Sequence, residues 1–178
     1  MLHDIQQILI TEEQLKRRIA ELAEILTEEY HHKNPLFVGI LKGVVVFYAD
    51  MVRAVQIPCQ FDFLAVSSYQ GTTSSGQLSY QKDISFELKG RHVVILEDIL
   101  DTGITLKSVV EHLAAMEPAS LKICTLMDKP ERRQADVQAD YVGFTIPNQF
   151  VVGYGLDYNE QYRNLPFVGV LKPEVYGQ

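Results

Sequence analysis

The stretch HVVILEDILDTGITL, His92 to Leu106, decides the reading of this chain. Four apolar residues, Val93 to Leu96, read as a strand buried on both faces, the mark of a parallel sheet covered by helices. Glu97, Asp98 and Asp101 follow, interleaved with Thr102, Gly103 and Thr105, before a helical apolar pattern resumes. Unpaired buried carboxylates cost several kcal/mol or take up a proton, so three of them at the end of a buried strand point to something outside the chain that meets them. Placed between a strand and a helix, Asp101 to Thr105 offers free amides and the positive end of a helix dipole, which suit a phosphate. Carboxylates beside that phosphate make sense only if they serve another part of the same ligand, such as sugar hydroxyls or a bound Mg2+, which takes oxygen ligands.

Working outward, TEEQLKRRIAELAEILTEEYHH opens with a capping-box pattern, Thr11 and Gln14, and sets Leu15, Ile19, Leu22 and Leu26 on one stripe of a helix. Asn34-Pro35 ends it. Leu36 to Leu41 is a second strand apolar on both faces, Val44 to Val55 returns to helical spacing, and Phe61 to Ser68 is a third strand. A short strand is expected near Leu78 to Gln81, a helix from Thr105 to Met116, and strands at Leu121 to Met127, Tyr141 to Ile146 and Phe150 to Tyr154. Such alternation predicts an α/β fold, a central mostly parallel sheet flanked by helices, forming a single domain over residues 1–178. In that architecture ligands bind beyond the carboxyl ends of strands.

Bulk properties narrow the function. With 178 residues, 47% apolar and 22% charged, the composition is that of a globular domain. A net charge of -7 opposes an extended nucleic-acid surface. No apolar run is long enough to span a bilayer, and Cys59 and Cys124 sit in apolar runs without metal spacing, so a cytoplasmic protein with reduced thiols is expected.

ILEDILDTGIT resembles the phosphoribosyl-diphosphate (PRPP) binding motif of the type I phosphoribosyltransferases. The likeness continues through LKG at Leu41 to Gly43, SSY at Ser67 to Tyr69, DKPERR at Asp128 to Arg133 and FVVGYGLDYNEQYRNLP at Phe150 to Pro166. Together the fragments are similar to the branch of that family acting on hypoxanthine and guanine. The resemblance implies the family fold, with a small hood from the terminal segments. It also implies transfer of 5-phosphoribose from PRPP to N9 of a 6-oxopurine, giving IMP or GMP and pyrophosphate.

On that resemblance Asp101 is the proton acceptor for purine N7. Glu97 and Asp98 hold the ribose hydroxyls directly or through Mg2+, and Thr102, Gly103, Ile104 and Thr105 bind the 5-phosphate. Lys42, Gly43 and Arg163 contact pyrophosphate, the LKG turn carrying a non-proline cis peptide, and Ser68 and Tyr69 belong to a lid. Lys129 donates to O6, Phe150 stacks on the base, Val151 meets its edge through the backbone, and Asp157 binds the base side and a second Mg2+. Family members are commonly dimers or tetramers.

Each assignment has a plainer reading. Asp101 suits a helix N-cap, and Glu97 and Asp98 suit a solvated loop. Lys42 reads equally as a snorkelling surface lysine, Arg163 as the partner of Glu160, Lys129 as part of a solvated basic run, and Phe150 as core. The run Ser67 to Gln77 also reads as a polar hairpin tip. Two rival functions are a regulatory protein of the same fold that binds ligand or RNA without catalysis, and a xanthine-preferring transferase.

Overall fold

The computed structural model describes residues 1–68 and 78–177. In chain order the elements are β1 (Ile5–Ile10), α1 (Glu12–Glu29), β2 (Leu36–Leu41), α2 (Val45–Ala54), β3 (Gln60–Ser68), β4 (Leu78–Lys82), β5 (His92–Leu100), α3 (Ile104–Ala114), β6 (Ser120–Asp128), β7 (Tyr141–Thr145), β8 (Val151–Val152), β9 (Val168–Leu171) and α4 (Pro173–Tyr176). Short 3-10 turns at Leu2–Asp4 and Pro130–Arg132 complete them.

The runs apolar on both faces do become the centre of a sheet. Six strands pair in the order β4-β3-β2-β5-β6-β7, all parallel except β4, which runs antiparallel to β3. Side chains of β5 alternate between two cores. Val94 and Leu96 pack with α1 and α2, while Val93 and Ile95 pack with α3, so helices cover both faces and Val93 to Leu96 are all buried. The capping box at Thr11 forms as expected, with Gln14 N donating to Thr11 Oγ1 at 3.2 Å and Thr11 N donating to Gln14 Oε1 at 2.8 Å.

From β2 the chain winds through α2 to β3 on one side; from β5 it winds through α3 to β6 on the other. The neighbours β2 and β5 therefore mark the point where winding reverses, and the loops after them part to leave a crevice. Pairing between these two strands stops at Gly39 and Leu96. β5 itself continues to Leu100 along β6. This corrects the expectation that Glu97 and Asp98 follow the strand: they belong to it, on the stretch whose β2-side neighbour has gone.

A second sheet, antiparallel and ordered β1-β9-β8, joins the two terminal segments into the expected hood. Its strands β1 and β9 were not anticipated from the sequence, and the strand expected over Phe150 to Tyr154 shrinks to Val151–Val152 with an isolated bridge from Gly153 to Leu156. Among the described residues no helix is long and apolar enough to cross a membrane.

Candidate functional site

A cavity of about 630 Å³ opens at the crevice between β2 and β5, roofed by the hood. Lys42, Gly43, Asp98, Asp101, Lys129, Phe150, Val151, Asp157 and Arg163 all line it, so most of the expected site converges from five separate segments. Ile99, Arg132, Asn148, Gln149, Leu156 and Tyr176 line it too and were not anticipated. Glu97, Thr102, Gly103, Ile104 and Thr105 are not among the lining residues. Tyr69 lies outside the described residues; Ser68 is the last residue of β3.

The turn after β2 carries a cis Leu41–Lys42 peptide. Gly43 is there because nothing larger fits: a Cβ at this position would lie 2.0 Å from Asp98 Oδ2, and a Cβ on Gly155 of the hood would lie 2.0 Å from Gly43 O. Turn, acidic strand and hood thus touch through two glycines. Gly43→Ala is expected to lower kcat/KM for PRPP by roughly ten- to a hundredfold, since forced overpacking costs about 1–3 kcal/mol. Steady-state kinetics at varied PRPP checks this, and an unchanged constant would show that the contact does not position the turn.

Two cations reach the same corner. Lys42 is 69% exposed and its Nζ donates to Glu160 Oε2 at 3.1 Å. Arg163 donates through Nη1 to Gly155 O at 2.8 Å, while its Nη2 lies 2.8 Å from Asp157 Oδ1 and 3.4 Å from Glu160 Oε1. The plain ion pair of Arg163 with Glu160 therefore exists, and Glu160 bridges the two cations assigned to pyrophosphate.

On β5, Asp98 is 7% exposed and its Oδ1 accepts from Ile99 N at 2.8 Å. Burial pushes its carboxyl up to about 6, opposed by the Ile99 amide and Arg163 and helped by Asp157. Burial, with the adjacent Asp98 charge, holds Glu97 well above the usual carboxylate range. Two solvated loop acids would not behave this way.

Asp101 is not a helix cap. The N-cap of α3 is Gly103, at φ 79°, and it has no side-chain cap; only Thr102 Oγ1 reaches Ile104 N, at 3.5 Å. The first amides of α3 are left for an anion, beside exposed Ile104 and Thr105. The segment expected to cradle a phosphate, Thr102 to Thr105, is thus not part of the cavity wall. Arg133 holds the acidic loop from behind, its Nε donating to Asp101 O at 3.1 Å and its Nη2 to Leu100 O at 3.2 Å.

Lys129 N donates to Leu100 O at 3.0 Å, which brings the end of β6 beside Asp101. The side chain is buried, 5% exposed, which excludes the solvated basic run. Its Nζ donates to Gln149 O at 3.0 Å and lies 3.9 Å from Asp101 Oδ2. Burial pushes this ammonium below the ordinary lysine range; the Asp101 charge pulls it back up. Arg132 Nε lies 3.1 Å from Asp101 Oδ1, within ion-pair distance but without hydrogen-bond geometry. Phe150 is not core: it is 38% exposed on the cavity wall, stacked on Tyr176.

Among the described residues, the buried side-chain polar atoms without a hydrogen-bond partner are Glu97 Oε2, Asp101 Oδ1, Gln149 Oε1 and Arg163 Nε. All four belong to this site or its edge. Buried polar atoms are nearly always paired, so this concentration marks where a polar ligand completes the structure. No three acidic, histidine or cysteine side chains among the described residues gather into a ready-made metal cage. The donor chemistry still fits Mg2+, which keeps several waters and substrate phosphate oxygens and takes one or two carboxylates; Glu97, Asp98 and Asp157 are the residues that would supply them.

The model of the phosphoribosyl transferase domain family matches residues 6–159. The hypoxanthine-guanine phosphoribosyltransferase of Streptococcus pneumoniae is 50% identical over 98% of this chain and 97% of its own. The bifunctional protein TilS/HprT of Listeria monocytogenes is 49% identical over the whole chain, which spans 28% of that protein's length. A crystal structure of a hypoxanthine phosphoribosyltransferase from Staphylococcus aureus is 48% identical and superposes with a TM-score of 0.96, covering 100% of this chain and 97% of that one. Matched by the family model over residues 6–159 and by relatives along nearly its whole length, this chain belongs to the phosphoribosyltransferase family, among the hypoxanthine-guanine phosphoribosyltransferases.

Proposed function

We propose that this chain is a purine salvage enzyme that transfers the 5-phosphoribosyl group of PRPP to N9 of hypoxanthine or guanine, giving IMP or GMP. The bond from C1' to pyrophosphate breaks, C1' bonds to N9, and the proton on purine N7 passes to Asp101. The observation that carries this reading is the set of orphaned polar atoms, which offers a carboxylate to a base, a carboxylate to a ribose and a guanidinium nitrogen to pyrophosphate.

As the leaving bond stretches, positive charge grows on the ribose, and the fixed carboxylates of Glu97 and Asp98 stabilise it. The α3 N-terminus holds the 5-phosphate, and Lys42, the Gly43 turn and Arg163 hold pyrophosphate. Bound Mg2+ would neutralise phosphate charge and favour pyrophosphate as a leaving group. Phe150 packs on the base, Val151 meets its edge through the backbone, and Lys129 donates to O6. Adenine carries an amino group there, which a buried ammonium cannot use. The small-molecule substrates, a cytoplasmic location and a dimeric or tetrameric state belong to the same proposal; the reduced Cys59 and Cys124 accord with that location. A purely regulatory role is not favoured, because every described catalytic position is filled.

The test is turnover, followed by absorbance, of purified chain with Mg2+ and PRPP offered hypoxanthine, guanine, xanthine or adenine. Turnover with the first two supports the proposal; none with any base overturns it, and a preference for xanthine overturns the assigned substrate. Lys129→Ala is expected to lower kcat/KM for hypoxanthine by roughly ten- to a hundredfold, the worth of one charge-assisted hydrogen bond. The same substitution should leave adenine no worse, and an equal loss on every base would remove Lys129 from O6 recognition.

A further inference from the structure

We propose that Tyr176, on the last helix, is a positioning residue for the purine subsite, fixing the plane of Phe150 before the base arrives. The inference rests on Phe150 being the stacking residue of the reading above. The Tyr176 ring lies on Phe150 with centroids 4.7 Å apart and planes inclined by 18°, and Tyr158 meets Phe150 edge-on at 5.7 Å and 89°. Both Phe150 and Tyr176 line the cavity.

Backbone geometry explains how a residue 26 positions away arrives there. Val151 pairs with Val170, and Leu171 N donates to Phe150 O at 2.9 Å, so β9 fixes the backbone of Phe150. Lys172 N then donates to Asp4 O at 2.9 Å, and Pro173 opens α4 as its first residue, where a proline is pre-set for a helix. One turn brings Tyr176 back over the segment that β9 has just paired with.

Phe150 needs this support. It follows Pro147 to Gln149, an irregular segment, and with 38% of its surface exposed it has few core neighbours to hold its rotamer. Without Tyr176 the ring would keep the edge contact of Tyr158 but lose its stacked neighbour, leaving the incoming base to complete its ordering at a loss of affinity; a ring already stacked on Tyr176 presents a fixed face. Tyr176 acts through Phe150, so its effect should fall on the base and spare PRPP.

The experiment is a kinetic cycle on the full chain: wild type, Tyr176→Leu, Phe150→Leu, the double variant, and Tyr176→Phe. Tyr176→Leu is expected to raise KM for hypoxanthine about three- to tenfold, the range for losing an aromatic pair, with KM for PRPP and kcat each within about twofold. Tyr176→Phe keeps the ring and should restore the wild-type KM. In the Phe150→Leu background, Tyr176→Leu should add nothing further, because its target is gone. An additive effect there, an equal rise in KM for PRPP, or an unchanged KM for hypoxanthine in Tyr176→Leu overturns the inference while leaving the base subsite in place. Phe150→Leu with an unchanged KM for hypoxanthine overturns the subsite reading itself, and the inference with it. Tyr176→Met, which keeps volume without a ring, reads the same arm if the leucine variant does not fold.

Discussion

Asp101→Ala is expected to leave a folded chain whose turnover with hypoxanthine falls by about two to four orders of magnitude, the usual contribution of one general base. The fold should survive for three reasons. The side chain caps no helix, since α3 starts from Gly103. The brace from Arg133 Nε ends on the Asp101 carbonyl, which alanine retains. The side chain is 35% exposed and its closer ionic partner, Arg132, is 46% exposed, so that ion pair contributes little. Lys129 loses a counter-charge 3.9 Å away but keeps its bond to Gln149 O. Asp101→Asn is the companion that keeps the volume while removing the charge and the capacity to take a proton. Circular dichroism establishes the fold and initial rates establish the loss; asparagine turning over like wild type would take the proton-accepting role away from this residue.

Asp98→Asn should do two opposite things: lower turnover by on the order of a hundredfold, by removing a fixed charge facing the developing cation, and stabilise the protein without divalent cation. The second effect follows from its raised carboxyl. A native carboxyl at about 6, against 3.8 in the unfolded chain, means the folded state binds more proton between those values. Stability therefore falls as pH rises from about 4 to 6 and stays reduced above, the charge being shared with the adjacent, likewise raised Glu97. Asparagine never ionises, so at pH 8 its melting temperature should exceed wild type by several degrees, whereas at pH 4 the two should nearly coincide. Thermal unfolding at both pH values checks this. A gain of equal size at pH 4 and 8, or a loss at pH 8, contradicts the account of Asp98 as a charge held in place against its own solvation.

Much of this arrangement is legible in the sequence, and particular residues show why the rest is not. Leu36 to Leu41 and Val93 to Leu96 are apolar without alternation, and only a strand covered on both faces explains them, so the parallel sheet follows. The end of β5 misleads because carboxylates look like a boundary; the strand continues through Ile99 and Leu100, held by β6 alone. β1 is invisible for a different reason. Of its residues only Ile10 is fully buried, and its partner β9 lies more than 150 residues away, so no local pattern announces it. Phe150 in an apolar run reads equally as core or as a wall, and Lys129 in KPERR reads equally as solvated or buried, since periodicity does not report which side of a residue faces a cavity. The structure puts Phe150 on the cavity wall and buries Lys129. The resemblance assigned no role to Arg132, Gln149 or Tyr176, which reach the cavity from a 3-10 turn, a loop and a four-residue helix whose placement is purely tertiary.

Everything in the proposed chemistry depends on the crevice between β2 and β5 receiving a ribose that carries phosphate at both ends. The most direct measurement is a crystal structure of the chain with PRPP, magnesium and a non-reacting purine. The account predicts ribose density against Glu97 and Asp98, the 5-phosphate on the first amides of α3, pyrophosphate on Gly43 and Arg163 in place of Glu160, and the purine between Asp101 and Phe150. PRPP bound elsewhere, with Glu160 still bridging Lys42 and Arg163, would contradict it.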